Sequence, residues 1–145
     1  MQISATVRSA AAAHEVSVRT DGGTRALAIP PKPTGRGSAV NGGELLMLAL
    51  ATCYCNDLYR EADRLGIAID GVEVEASADF TGVGLAASNI RYRATVSSTA
   101  PAESIATLLR ETDAVAEIHN TVRAGVPVAL EPSVERRGVK PPDAR

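Results

Sequence analysis

The chain has 145 residues, 45% hydrophobic and 22% charged, with a formal net charge of −2, which is the balance of an ordinary globular domain and offers no basic field for nucleic acid or an acidic membrane surface. No apolar run approaches the roughly 18 residues that a membrane span needs, and the N-terminus lacks a charged leader followed by an apolar block, so a cytoplasmic protein is expected. The two cysteines, Cys53 and Cys55, exclude a disulfide framework and a cysteine-built zinc site, and aromatics at 3% leave the core to Ala, Val, Leu and Ile.

In chain order, residues 2–8 alternate Ile3, Ala5 and Val7 against polar neighbours, the pattern of a half-buried strand. A second strand is predicted over residues 14–20 with Val16 and Val18 inward. Asp21-Gly22-Gly23 is a hairpin signal, and residues 25–29 supply the returning strand. Residues 30–43, rich in Pro, Gly and small polar side chains, form a loop. Asn41 followed by Glu44 is an Asn variant of the capping box, and residues 44–65 contain no Pro or Gly before Gly66. A helix of about 22 residues would be a rod of roughly 33 Å, long enough to cross the domain.

Alternation resumes over residues 69–80 and 90–96, joined as a hairpin through Gly82 and Gly84. Residues 101–111 read as a helix with Ile105, Leu108 and Leu109 inward. Asp113 is placed to cap a further short helix ending at Gly125. Residues 126–134 suggest an edge strand broken by Pro127 and Pro132, and residues 136–145 a frayed polar tail. The order is that of a single α+β domain over residues 1–145 with antiparallel sheets around a long central helix.

Cysteine is the side chain that most invites chemistry. On a helix Cys53 shares a face with Leu46, Ala49, Leu50, Asn56, Asp57 and Arg60, whereas Cys55 faces roughly 200° away among Leu48, Ala51, Leu58 and Tyr59. A disulfide between them would require the helix to unwind. Free cysteine is among the most buried residue types, so Cys55 reads as a core filler. Cys53, on the more polar boundary, is the candidate nucleophile, although Asp57 one turn on disfavours its thiolate. The two histidines, His14 and His119, are far apart in sequence with no nearby carboxylate pair, so no metal site is expected. No Gly-rich phosphate loop follows a strand, and no cofactor is called for.

Asn41-Gly42-Gly43-Glu44-Leu45-Leu46, Ala49-Leu50-Ala51-Thr52-Cys53, Gly66-Ile67, Gly71-Val72-Glu73-Val74 and residues 120–128 together resemble the OsmC/Ohr family over nearly the whole chain. The resemblance implies an OsmC-like fold, an intertwined homodimer whose long helices cross, and reduction of organic hydroperoxides by a cysteine at the position of Cys53. The family's resolving cysteine would fall at Ala116, and the glutamate that helps hold the catalytic arginine would fall at Gly43. Glu44 is better read as a cap. Arg8, in the first strand, is the nearest candidate for the family's arginine but lacks its Gly-Arg-Asp-Gly setting. His119 stands three residues beyond the missing cysteine, where a histidine can serve as a base for a thiol.

Three functions follow from this reading. The first is a thiol-dependent peroxidase in which Cys53 becomes a sulfenic acid and an external thiol reduces it. The second is a non-catalytic dimer that binds a small hydrophobic ligand in an apolar cleft. The third is group transfer through a Cys53–His119 pair.

Overall fold

The N-terminal third folds as a meander: β1 (Ile3–Ala10), β2 (Ala13–Thr20) and β3 (Gly23–Ala26) make an antiparallel sheet in sequence order. These details come from a computed structural model that describes residues 1–131. Ile3 faces Thr20 and Val7 faces Val16 across β1 and β2. Asp21 and Gly22 take φ of 45° and 92°, the two positive values that a tight hairpin between right-twisted strands requires. The Asp21 carboxylate also accepts the Gln2 backbone N–H at 3.0 Å, closing the open end of the sheet.

Every residue of β1 is exposed, Ile3 at 62% and Val7 at 55%, so its apolar face is not half-buried as the alternation suggests. The physical reason lies in the packing. β1, β2 and β3 lie against one another, whereas α1 (Gly42–Leu65) packs against β4 (Gly71–Asp79), β5 (Ser88–Ser97), α2 (Ala102–Val115) and α3 (Glu117–Ala124). Period-two patterning specifies a face to be covered and does not say by what.

The long helix begins with the expected capping box. The Glu44 N–H donates to the Asn41 side chain at 3.0 Å and the Asn41 N–H donates to the Glu44 carboxylate at 2.7 Å, satisfying two of the orphan donors at the helix start. Gly66, at φ 67°, ends it in the left-handed conformation and returns its N–H to the carbonyls of Ala62 and Asp63. Tyr54, Leu58 and Ala62 form one buried stripe of this helix. Against it pack Val72, Val74, Tyr92, Ala94 and Val96 of the β4–β5 hairpin on one side and Leu108 of α2 on another. Leu58 and Leu108 are wholly buried, and the Tyr54 hydroxyl donates to the Leu109 carbonyl at 2.7 Å, so this buried phenol has a partner.

Three expectations are corrected. Asp113 does not cap a short helix: α2 runs through it to Val115, and the break falls at the extended residue Ala116, which precedes α3 without a side-chain cap. Asp113 instead accepts hydrogen bonds from the Tyr92 hydroxyl and from Arg123, the latter at 2.5 Å, so it ties α2 to β5 and α3. The returning strand of the first hairpin ends at Ala26 rather than at residue 29. The last predicted strand is not present over residues 126–131, and its remainder and the polar tail lie outside the described residues.

Candidate functional site

Residues 53, 57, 60, 61 and 64 recur at the three- and four-residue spacing that lines one face of α1, and on this face Cys53 meets a row of charges. The Cys53 thiol donates to Asp57 Oδ2 at 3.4 Å and lies 4.0 Å from Glu117 Oε2, which α3 brings across from 64 residues further along the chain. Arg60 holds the outer oxygens of the same two carboxylates, with Nη1 at 2.8 Å from Asp57 Oδ1 and 3.9 Å from Glu117 Oε1. Its Nε reaches Glu61 at 3.3 Å, and Glu61 is paired in turn with Arg64 at 2.5 Å. Asp57 and Glu61 are both buried beneath these arginines, which is how two carboxylates come to lie within the protein without isolated charge.

The electrostatics of Cys53 follow from this arrangement. Burial pushes its thiol pKa up most, the Ile118 backbone N–H pulls it down, and the nearby carboxylates of Asp57 and Glu117 push it up further. The resting side chain is therefore a neutral thiol whose proton points at a carboxylate. Hydrogen bonds from Arg64 above all hold the Glu61 carboxyl below its usual range.

His119 lies on the buried side of α3. It is 4% exposed, its ring centroid is 4.3 Å from Tyr92 and 5.6 Å from Tyr54, and neither ring nitrogen has a hydrogen-bond partner in the protein. Burial is the main force lowering its pKa, so it is a neutral imidazole in an aromatic nest. Cys53 makes its hydrogen-bond contacts with Asp57 and Glu117, not with His119. Tyr92, whose phenol bonds Asp113, has its own pKa raised to about 12, chiefly by burial.

Arg8 is placed elsewhere. Its side chain is 73% exposed on β1 and forms an ion pair with Glu15 of β2 at 3.7 Å. The cation at the Cys53 site is Arg60, which the sequence showed on the same helical face without marking its role. Glu117 was not singled out, because nothing in a linear sequence joins α3 to the middle of α1. Cys55 is partly buried and stands apart from this charged row. No metal site was expected, yet Cys53, Asp57 and Glu117 present one sulfur and two carboxylate oxygens within 4.8 Å of one another.

A long helix wrapped by an antiparallel hairpin and two shorter helices, preceded by a separate meander and carrying a cysteine in its fourth turn, defines a class of α+β proteins with a helix-borne thiol. The chain belongs to the OsmC-like protein family, whose pattern matches residues 35–131. Among solved structures it is similar to an OsmC-like protein from Mycoplasma pneumoniae, with a TM-score of 0.59 and 17% identity, covering 84% of this chain and 86% of that one. It is also similar to an organic hydroperoxide resistance protein OsmC from Legionella pneumophila, described as a predicted redox protein and regulator of sulfide bond formation. That likeness has a TM-score of 0.57 and 18% identity, covering 85% and 90% of the two chains. An OsmC-like hydroperoxide resistance protein from Jannaschia sp. CCS1 matches with a TM-score of 0.52 and 18% identity, over 90% of this chain and 85% of that one. These likenesses establish the fold. No curated protein matches the sequence. Among the described residues no helix is long and apolar enough to cross a membrane.

Proposed function

We propose that this protein is a thiol-dependent redox protein in which Cys53 reduces an organic hydroperoxide. The observation that carries the reading is the Cys53 thiol donating to Asp57 Oδ2 at 3.4 Å, because it supplies a proton acceptor at the one moment a neutral thiol needs it. The sulfur attacks the terminal oxygen of ROOH, the O–O bond breaks, and the thiol proton passes by way of Asp57 to the departing alkoxide. The products are Cys53 sulfenic acid and ROH. One external thiol then forms a mixed disulfide with release of water, and a second thiol frees Cys53. Arg60 acts as a positioning residue, holding Asp57 through the oxygen that does not face the sulfur.

The exposed apolar side chains of the meander, Ile3 and Val7, together with Leu48 at 60% and Tyr59 at 44% on α1, support a homodimer in which a second copy covers them. A cytoplasmic setting supplies the reducing thiols that the cycle consumes. One equivalent of cumene hydroperoxide followed by mass spectrometry tests the reading. Cys53 gains one oxygen and no disulfide with Cys55 appears, while an unoxidised Cys53 refutes it.

A binding role for a small hydrophobic molecule is favoured by a separate feature. A pocket of about 560 Å³ opens at the start of α1, lined by Asn41, Gly43, Glu44, Met47, Ala78 and Phe80, with a volume in the range of small-ligand sites. Quenching or displacement of an apolar fluorescent probe in this pocket, blocked by Gly43→Leu, distinguishes this role from thiol chemistry. A Cβ at Gly43 already meets the Phe80 ring at 3.0 Å.

A further inference from the structure

We propose that the loop over residues 32–37 and the β1–β2 hairpin form a binding site for a phosphate group, with Lys32 and Arg36 as the cations that recognise it. A cavity of about 480 Å³ lies between the two segments, and Ser9, His14, Lys32, Gly35, Arg36 and Gly37 are in its lining. That lining holds two cationic side chains and no carboxylate. The arginines that form ion pairs are Arg8, Arg60, Arg64, Arg93 and Arg123, so among the described residues no carboxylate neutralises Lys32 or Arg36. Two uncompensated positive charges match a phosphate monoester, which carries about −1.5 to −2 at neutral pH. The planar guanidinium takes two of its oxygens side by side and the ammonium takes a third.

The loop is set before a ligand arrives. Pro31 and Ser38 bridge as an antiparallel pair, the Lys32 N–H donates to the Gly37 carbonyl at 2.9 Å, and the Ala39 N–H donates to the Pro30 carbonyl at 2.9 Å. A Cβ on Gly37 would stand 4.0 Å from Lys32 Cε, so the lysine stem lies over this glycine. The loop is pinned to the sheet at two points, where the Gly37 N–H donates to Ser9 Oγ at 3.2 Å and Ser38 Oγ lies 3.1 Å from His14 Nε2. Ordering the loop in advance removes that entropy from the cost of binding. His14 supplies an independent observation, because its Nδ1 is buried with no partner among the described residues. With the Ser38 hydroxyl donating to Nε2, Nδ1 carries the ring proton, and a donor without an acceptor is the polarity an oxoanion satisfies.

No strand–loop–helix cradle is involved, and no lining residue belongs to α1 or α3, so the site stands or falls independently of the thiol chemistry. The experiment is a calorimetric titration of the full chain with inorganic phosphate and with phenyl phosphate at fixed ionic strength, together with amide NMR spectra. Expected is saturable binding of one phosphate per chain, with shifts concentrated at Gly35, Arg36 and Gly37. Lys32→Gln and Arg36→Gln should each weaken it by about tenfold or more, through loss of a charged donor rather than of the fold, because both residues are exposed. Arg25→Gln, which removes an exposed arginine of β3 outside the cavity, should leave the affinity unchanged. Tighter binding of phenyl phosphate assigns the site to phosphorylated small molecules, and equal or weaker binding assigns it to free phosphate. Absence of saturable binding, an affinity that survives Arg36→Gln, or an equal loss with Arg25→Gln overturns the proposal.

Discussion

Replacing Asp57 by asparagine should make Cys53 a faster nucleophile toward a disulfide reagent, the reverse of what removing a catalytic base does to a peroxidase. The carboxylate oxygen is 3.4 Å from the sulfur, and its charge opposes the thiolate. Coulomb's law at that distance, with water-like screening because the site is partly open, gives about 1 kcal/mol, or about fivefold in thiolate population at neutral pH. A thiolate of lower basicity is intrinsically less reactive, with a Brønsted slope of about 0.45, so the net gain is about two- to threefold. Arg60 loses the charge of its 2.8 Å partner in the variant but keeps Glu61 at 3.3 Å and Glu117 at 3.9 Å, so it adds nothing to this figure. The assay is the initial rate with an aromatic disulfide from pH 6 to 10, in a Cys55→Ser background, paired with the rate of cumene hydroperoxide consumption. Asp57→Asn should raise the first rate and lower the second. A fall in both would show that the carboxylate positions the thiol rather than opposing its ionisation, and the electrostatic reasoning would fail.

Ala116→Cys should yield a peroxide-dependent disulfide with Cys53, seen as a mass loss of two hydrogens, because Ile118 and Glu117 of the same segment already touch the sulfur. Asn41→Ala should lower unfolding free energy by about 1 kcal/mol in urea, through loss of the reciprocal cap on α1. His119 has a folded-state pKa depressed below 6.5, so the unfolded chain binds its proton more readily. The stability of the neutral form is therefore complete above pH 6.5 and is lost as pH falls from there through the folded value. Thermal midpoints at pH 7.5 and 5.5 should differ more for the wild type than for His119→Gln, and equal differences would contradict the assignment.

What the sequence made legible was local. Asn41, Glu44 and Gly66 bound the long helix because caps and left-handed glycines act within one turn, and Asp21-Gly22 fixes its hairpin for the same reason. The error at Asp113 has the opposite cause. A residue well suited to start a helix was taken by Tyr92 and Arg123, and tertiary partners outweighed a local preference. The uncovered face of β1 and the arrival of Glu117 beside Cys53 are likewise decided by packing between segments far apart in the chain.

The same distinction bears on how this site works. Arg8 would be the cation of choice if the family's pattern alone were followed, yet it pairs with Glu15 on an exposed strand, while Arg60, on the helical face of Cys53, is already committed to Asp57, Glu61 and Glu117. A guanidinium shared among three carboxylates stabilises a neighbouring thiolate far less than a free one would. Within the chain, then, Cys53 is held as a protonated thiol with its activation deferred. The Asp57 carboxylate then has two opposed effects on this cysteine, opposing its ionisation at rest and accepting its proton in the proposed reaction, and Asp57→Asn separates the two.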